Sequence, residues 1–227
     1  MIRLETILTP ARSLVNVPGG SKKRVLEQIA NLVARDLPDL DTQDIFENLI
    51  AREKLGSTGF GKSFTNAGDG QWGAKMHDDL IDAVHWAVKQ GVTTADKVAI
   101  MGGSYGGYAT LAGLTFTPDD FACGVDIVGP SNLNTLLSTV PAYWASFYQQ
   151  LTRRMGDPAT EQGKAWLTER SPLGRVDAIS KPLLIGQGAN DPRVKQAESD
   201  QIVDAMKARN IPVTYVLFPD EGHGFHR

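Results

Sequence analysis

Apolar positions recur at two different periods along this chain. Between 21 and 36, Val25, Ile29, Leu32 and Val33 return at the spacing of a helix face, behind Ser21 as N-cap. After Pro38, Asp41 caps a second stripe made of Ile45, Phe46, Leu49 and Ile50. Beyond residue 55 the pattern changes to short apolar runs separated by helical stretches. A helix is predicted over 78–90, with Leu80, Val84 and Ala87 inward and its first acids complementing the helix dipole. Lys97–Met101 reads as a buried strand that enters a glycine-rich turn and another helix. Gly124–Val128 is a second strand, and the stretch 132–170 is helical with a break at Gly156-Asp157-Pro158. Leu183–Gly186 is a third strand, followed by a helix from Val194 to Arg209, and Val213–Phe218 is a fourth. Strands separated by helices pair in parallel. The expected fold class is α/β, about four parallel strands with flanking helices, behind a helical N-terminal extension. The expected domains are 1–55 and 56–227.

Composition sharpens that division. Of the 23 glycines only Gly19 and Gly20 fall within 1–55, where helical periodicity rules. The 227 residues are 41% hydrophobic and 22% charged, the balance of a folded globular chain. A net charge of −3 gives no general attraction for nucleic acid or for an anionic membrane surface. No apolar run approaches the ~18 residues of a membrane span. The opening MIRLETILTPAR alternates apolar and polar residues, unlike a secretory leader. The one cysteine, Cys123, forms no internal disulfide or multi-cysteine zinc site. A cytoplasmic location is expected, without metal or cofactor.

The sharpest chemical signal is MGGSYGGY, residues 101–108. Gly102-Gly103-Ser104-Tyr105-Gly106 fits the G-x-S-x-G nucleophile elbow, with a strand before it and a helix after it. Small neighbours let the chain turn tightly and hold the serine at the sheet edge. The helix N-terminus adds positive potential for a developing oxyanion. Asp191 follows the third strand in GANDPRV, and His223 follows the fourth in PDEGHGF. The order Ser104, Asp191, His223 is that of the α/β-hydrolases, each residue leaving its own strand end. His223 would take the serine proton and Asp191 would hold the imidazole. His226 is the alternative base, but it lies further from the strand. His77 and His85 precede the elbow, while Asp126 in a strand and Asp220 in a turn read as structural. Gly56–Ser63 satisfies G-x-x-x-x-G-K-[ST] letter for letter. A helical pattern precedes it and FTNAGDGQWG follows, so the strand and helix a phosphate loop needs are not expected.

These strings carry a resemblance. GSTGFGK, MHDDLIDAVHWAVKQG, KVAIMGGSYGGYAT, GVDIVGPSN, KPLLIGQGANDPRVKQAESDQ and PDEGHGF make residues 56–227 similar to the catalytic domain of the prolyl oligopeptidase family, nearest its acylaminoacyl-peptidase-like and dipeptidyl-peptidase-like members. The resemblance implies a serine peptidase of short peptides, with Ser104, Asp191 and His223 as its triad and the Tyr105 backbone N–H as one oxyanion donor. It also implies a β-propeller, earlier strands and a second oxyanion loop, and none of these is expected from the motifs found here. The expected architecture is therefore a truncated α/β-hydrolase half-sheet whose open edge invites oligomerisation. Loss of one oxyanion donor costs about 10²–10³ in rate.

Residues 1–62 resemble another family, the N-terminal part of the nitrogen-regulatory enzyme IIA of the phosphotransferase system, through SKKRVLEQIANLVARDLPDLDTQDIFENLIAREKLGSTGFGK. The phosphate-accepting histidine that follows in that family is replaced by SFTNAGDG. The expectation is a chimera joined at the GSTGFGK string both families share. The alternative to an active peptidase is a catalytically silent fusion that keeps only a regulatory, protein-binding segment.

Overall fold

The computed structural model describes residues 62–141, 144–223 and 225. The chain divides into two compact units, 1–66 and 67–227. The predicted helices over 21–36 and after Asp41 lie outside the described residues, as does His226.

A short helix, α1 (Lys62–Ala67), comes first. It corrects the expectation that no helix follows the GK string: six residues are helical before the turn Gly68-Asp69-Gly70, in which Gly70 takes a φ of +69°. Residues 56–61 of the phosphate-loop-like string lie outside the described residues.

The second unit is built on a four-stranded sheet of order β1-β2-β3-β4, all parallel. The strands are β1 (Ala99–Gly103), β2 (Cys123–Ile127), β3 (Leu183–Gly188) and β4 (Thr214–Phe218). Helix α2 (Lys75–Lys89) precedes β1, and α3 (Tyr105–Phe116) joins β1 to β2. Helices α4 (Leu133–Ser138), α5 (Ala145–Met155) and α6 (Glu161–Glu169) separate β2 from β3, and α7 (Gln196–Ala208) separates β3 from β4. The α/β expectation holds, including the break at Gly156, which closes α5 at a φ of +132°.

Two sequence boundaries move for a tertiary reason. β1 starts and ends two residues later than predicted, because Gly102 and Gly103 pair in register with Asp126 and Ile127. Ladder pairing, not side-chain preference, draws the glycines into the strand. In α2 the inward line is His77, Ile81 and Val84, whereas Leu80 is 39% exposed, which corrects its predicted burial. The helix begins at Lys75 rather than Asp78, and its inner face is set by His77 docking on Thr117 at 3.0 Å.

Helix α3 is the centre of the core. Its residues from Gly107 to Thr115 are all buried, apolar or small on every side, as a helix between a sheet and further helices must be. Leu111 and Leu114 pack with Leu183, Ile185, Ile202, Val203 and Met206 of β3 and α7. On its other side Tyr108 and Ala112 pack with Leu133, Leu137, Met155 and Leu167. On the opposite face of the sheet Met101 is 72% exposed, Val216 37% and Phe218 40%.

Candidate active site

The site is assembled from the C-terminal ends of β1, β3 and β4, where a parallel sheet aims its loops one way. Ser104 sits between β1 and α3 with φ +58° and ψ −116°, a strained conformation for a residue with a side chain. Neighbours hold the strain in place. The Ser104 N–H donates to the Ile127 carbonyl at 2.9 Å, and the Ser104 carbonyl accepts from the Tyr108 N–H at 3.0 Å. A Cβ on Gly102 would lie 2.5 Å from the Gly106 backbone, so only glycine lets the chain fold this tightly. As the first residue of α3, Tyr105 has an amide with no carbonyl one turn back to bond, which leaves it available beside Ser104.

The elbow rests on the end of β2. There Asp126 accepts the Gly129 N–H through Oδ1 at 2.8 Å, which bends the chain through Val128 at φ +50°. A Cβ on Gly107 or on Gly129 would strike the other glycine and Asp126, so helix and turn meet backbone to backbone. Asp126 is fully buried and its Oδ2 has no hydrogen-bond partner among the described residues. Burial pushes its carboxyl up to about 7, against the pull of the Gly129 amide.

The loop after β3 carries Asp191. Its Oδ1 accepts the N–H groups of Arg193 at 2.8 Å and Val194 at 2.9 Å, and its Oδ2 meets His223 Nδ1 at 2.7 Å. The carboxylate is buried, which alone would raise its pKa. The His223 bond and the two amides outweigh that and hold it below the ordinary carboxylate value. His223 comes from the loop after β4, which turns back over the end of β3. Asn190 N–H donates to the Glu221 carbonyl at 3.0 Å, and Asn190 Nδ2 to that of Pro219 at 2.9 Å. Phe225 stacks near Phe218 at 4.7 Å between ring centroids. The structure thus joins Asp191 and His223 directly and places Ser104 at the end of β1, with no hydrogen bond to its Oγ among the described residues.

A cleft of about 540 Å³ opens beside Ser104. Leu136, Val140, Pro141, Trp144 and Leu151 make it apolar, Trp72 and Tyr105 flank it, and Arg193 is the one charged side chain among the described residues that line it. Trp72 packs edge-on to Tyr105 at 4.6 Å and tilted to Tyr108 at 5.1 Å. Of these residues the sequence pointed to Tyr105 alone, and for its backbone N–H rather than its ring. Arg193 and Val194 lay in the DPRV string beside Asp191, but the helices between 132 and 155 look like any core-packing helices.

The other candidates lie away from this centre. His77 is buried, and desolvation lowers its pKa despite Asp78 and Asp120. His85 is exposed and faces Asp120 at 3.5 Å. Asp220 is an exposed turn residue. Among the described residues no group of three His, Cys, Asp or Glu is placed to hold a metal ion, and no helix is long and apolar enough to cross a membrane.

A strained serine on a strand–helix elbow and a histidine bonded to a buried aspartate at strand ends of one parallel sheet define an α/β-hydrolase. The prolyl oligopeptidase family matches residues 50–227, and the chain belongs to that family. It is 84% identical over 172 residues to dipeptidyl aminopeptidase BIII of Pseudoxanthomonas mexicana, covering 76% of this chain and 25% of that protein. A puromycin-hydrolyzing peptidase of Mycobacterium tuberculosis superposes with a TM-score of 0.67 at 33% identity, over 74% of this chain and 25% of that one. A further segment is 87% identical over 61 residues to a nitrogen regulatory protein of Pseudomonas aeruginosa, covering 27% of this chain and 40% of that protein. The chain spans about a quarter of the length of the peptidases it matches.

Proposed function

We propose that residues 56–227 form a serine peptidase unit that cleaves short peptides through an acyl-enzyme. The observation that carries this reading is the Asp191–His223 bond at 2.7 Å beside a serine held at φ +58°. Ser104 Oγ attacks the scissile carbonyl carbon as its proton passes to His223 Nε2. His223 then gives that proton to the leaving amine as the C–N bond breaks. Water, deprotonated by His223, attacks the ester and regenerates Ser104. Asp191 keeps the proton of the neutral ring on Nδ1 and stabilises the imidazolium. The Tyr105 amide donates to the developing oxyanion. The cleft lining suits an apolar acyl side chain. In an unliganded site the serine–histidine bond is commonly loose and tightens on substrate.

The test is labelling of the purified chain with a fluorophosphonate beside a Ser104→Ala control. Labelling that vanishes in the control is expected. A cooperatively folding sample that does not label would leave the catalytically silent fusion as the reading.

Residues 1–55 and 56–227 are segments of separate ancestry joined within GSTGFGK, and the separate matches to the peptidases and to the nitrogen regulatory protein support this. One DNA molecule read across codons 40–80 tests whether the join is genomic. The edge of β1, which has no partner strand among the described residues, and the exposed Met101 in it favour pairing with a second copy of the chain. Light scattering should then show a dimer that Met101→Lys weakens.

A further inference from the structure

The mechanism above makes no use of Glu198, yet this carboxylate is 2% exposed and fully engaged. It stands in the first turn of α7, one turn beyond the loop that bears Asp191. Its Oε2 accepts the backbone N–H groups of Ser131 and Asn132, each at 3.0 Å, and the Gln201 side-chain amide at 3.0 Å. Its Oε1 accepts the Thr135 hydroxyl, and its backbone carbonyl accepts the Ser131 hydroxyl at 2.6 Å. Every one of these donors except Gln201 lies on the segment from 131 to 135. That segment is flanked by two residues of the cleft wall, Pro130 and Leu136.

A second part of the cleft wall comes from the Asp191 loop, through Arg193 and Val194. This loop is tied to the same turn of α7. Gln187 donates to the Val194 carbonyl at 3.2 Å and accepts from the Ser199 hydroxyl at 2.8 Å. Glu198 and Ser199 therefore fasten two parts of the wall of one apolar cleft to one helical turn. A surface glutamate at this position would merely complement the helix dipole; this one is withdrawn from water and matched donor by donor.

We infer that Glu198 is a positioning residue for specificity: it sets the separation of these two parts of the cleft wall, and with it the choice between small and bulky acyl side chains. The inference rests on the peptidase reading of the site. Removing the carboxylate leaves the Ser131 and Asn132 amides buried without an acceptor, so the 130–136 segment must shift to reach water. Ser104, His223 and Asp191 have no direct bond to Glu198 and keep their own.

The experiment compares hydrolysis of p-nitrophenyl acetate with that of the p-nitrophenyl ester of N-acetyl-phenylalanine. Four proteins are used: the unaltered full chain, Glu198→Ala, Glu198→Gln and Thr135→Val. Glu198→Ala is expected to change the ratio of kcat/KM for the bulky over the small ester by about tenfold, the scale on which an apolar pocket discriminates, with the acetate rate within about threefold. Thr135→Val should move the ratio by about threefold, and Glu198→Gln, which keeps an acceptor for the two amides, by less than about twofold. If Glu198→Ala does not fold, Thr135→Val decides. Parallel loss on both esters, or an unchanged ratio in a folded variant, overturns the inference while leaving the peptidase reading intact. Failure of the unaltered chain to label at Ser104 overturns both.

Discussion

Asp126→Asn isolates the effect of a buried acid beneath the elbow. Asp126 accepts the Gly129 amide through one oxygen and leaves the other without a partner among the described residues. Burial lifts its pKa from 3.8 to about 7, so the folded chain holds a proton that the unfolded chain releases. The unfolded state binds fewer protons than the native state throughout that interval, so stability falls as pH rises. At about 1.4 kcal/mol per pH unit, three units amount to a loss on the order of 4 kcal/mol between pH 4 and 7. Asparagine keeps the acceptor for Gly129 and cannot ionise. Urea unfolding followed by tryptophan fluorescence, at half-unit steps from pH 4 to 8, gives both stabilities. The variant should gain on the unaltered chain steadily up to about pH 7 and level off above it. A difference constant within about 1 kcal/mol over that range would refute the reasoning, because other titrating groups cancel in the comparison.

Three more variants have defined outcomes. Asp191→Asn should slow fluorophosphonate labelling by about 10³–10⁴, because the histidine loses the partner that fixes its tautomer. It should also flatten the acid limb of stability, since a carboxylate held below its ordinary pKa stabilises the fold above that value and loses this as pH falls through the folded one. Gly129→Ala drives a Cβ against Gly107 and Asp126, and should cost roughly 1–3 kcal/mol by thermal unfolding. Tyr108→Phe removes the hydroxyl that donates to the Arg170 carbonyl at 2.9 Å and should cost about 1 kcal/mol by the same measurement.

The parts legible in the sequence are those where chemistry demands a residue type at a fixed place. GGSYGG announced a tight strand–helix turn because no larger residue than Gly102 fits against Gly106. The Asp191 and His223 loops were legible because glycines flank them at strand ends. What could not be read depends on distant partners. β1 reaches Gly103 only because β2 offers a ladder there. Leu80 and Ile81 are adjacent and equally apolar, and packing chooses between them. The cleft is built from residues that periodicity assigns to a core, such as Leu136 and Leu151. Glu198 gave no signal at all, since a glutamate opening a helix is ordinary on a surface and its burial is set by a segment more than sixty residues earlier.

The strand order has a consequence for biosynthesis. The four strands lie side by side in the order in which a ribosome delivers them, so each joins an edge already formed. A nascent chain that has emerged through β3 can hold the serine turn and its carboxylate, but the imidazole arrives only after β4. Until then the serine lacks its base. The proposed base is therefore the last member of the candidate site to be synthesised.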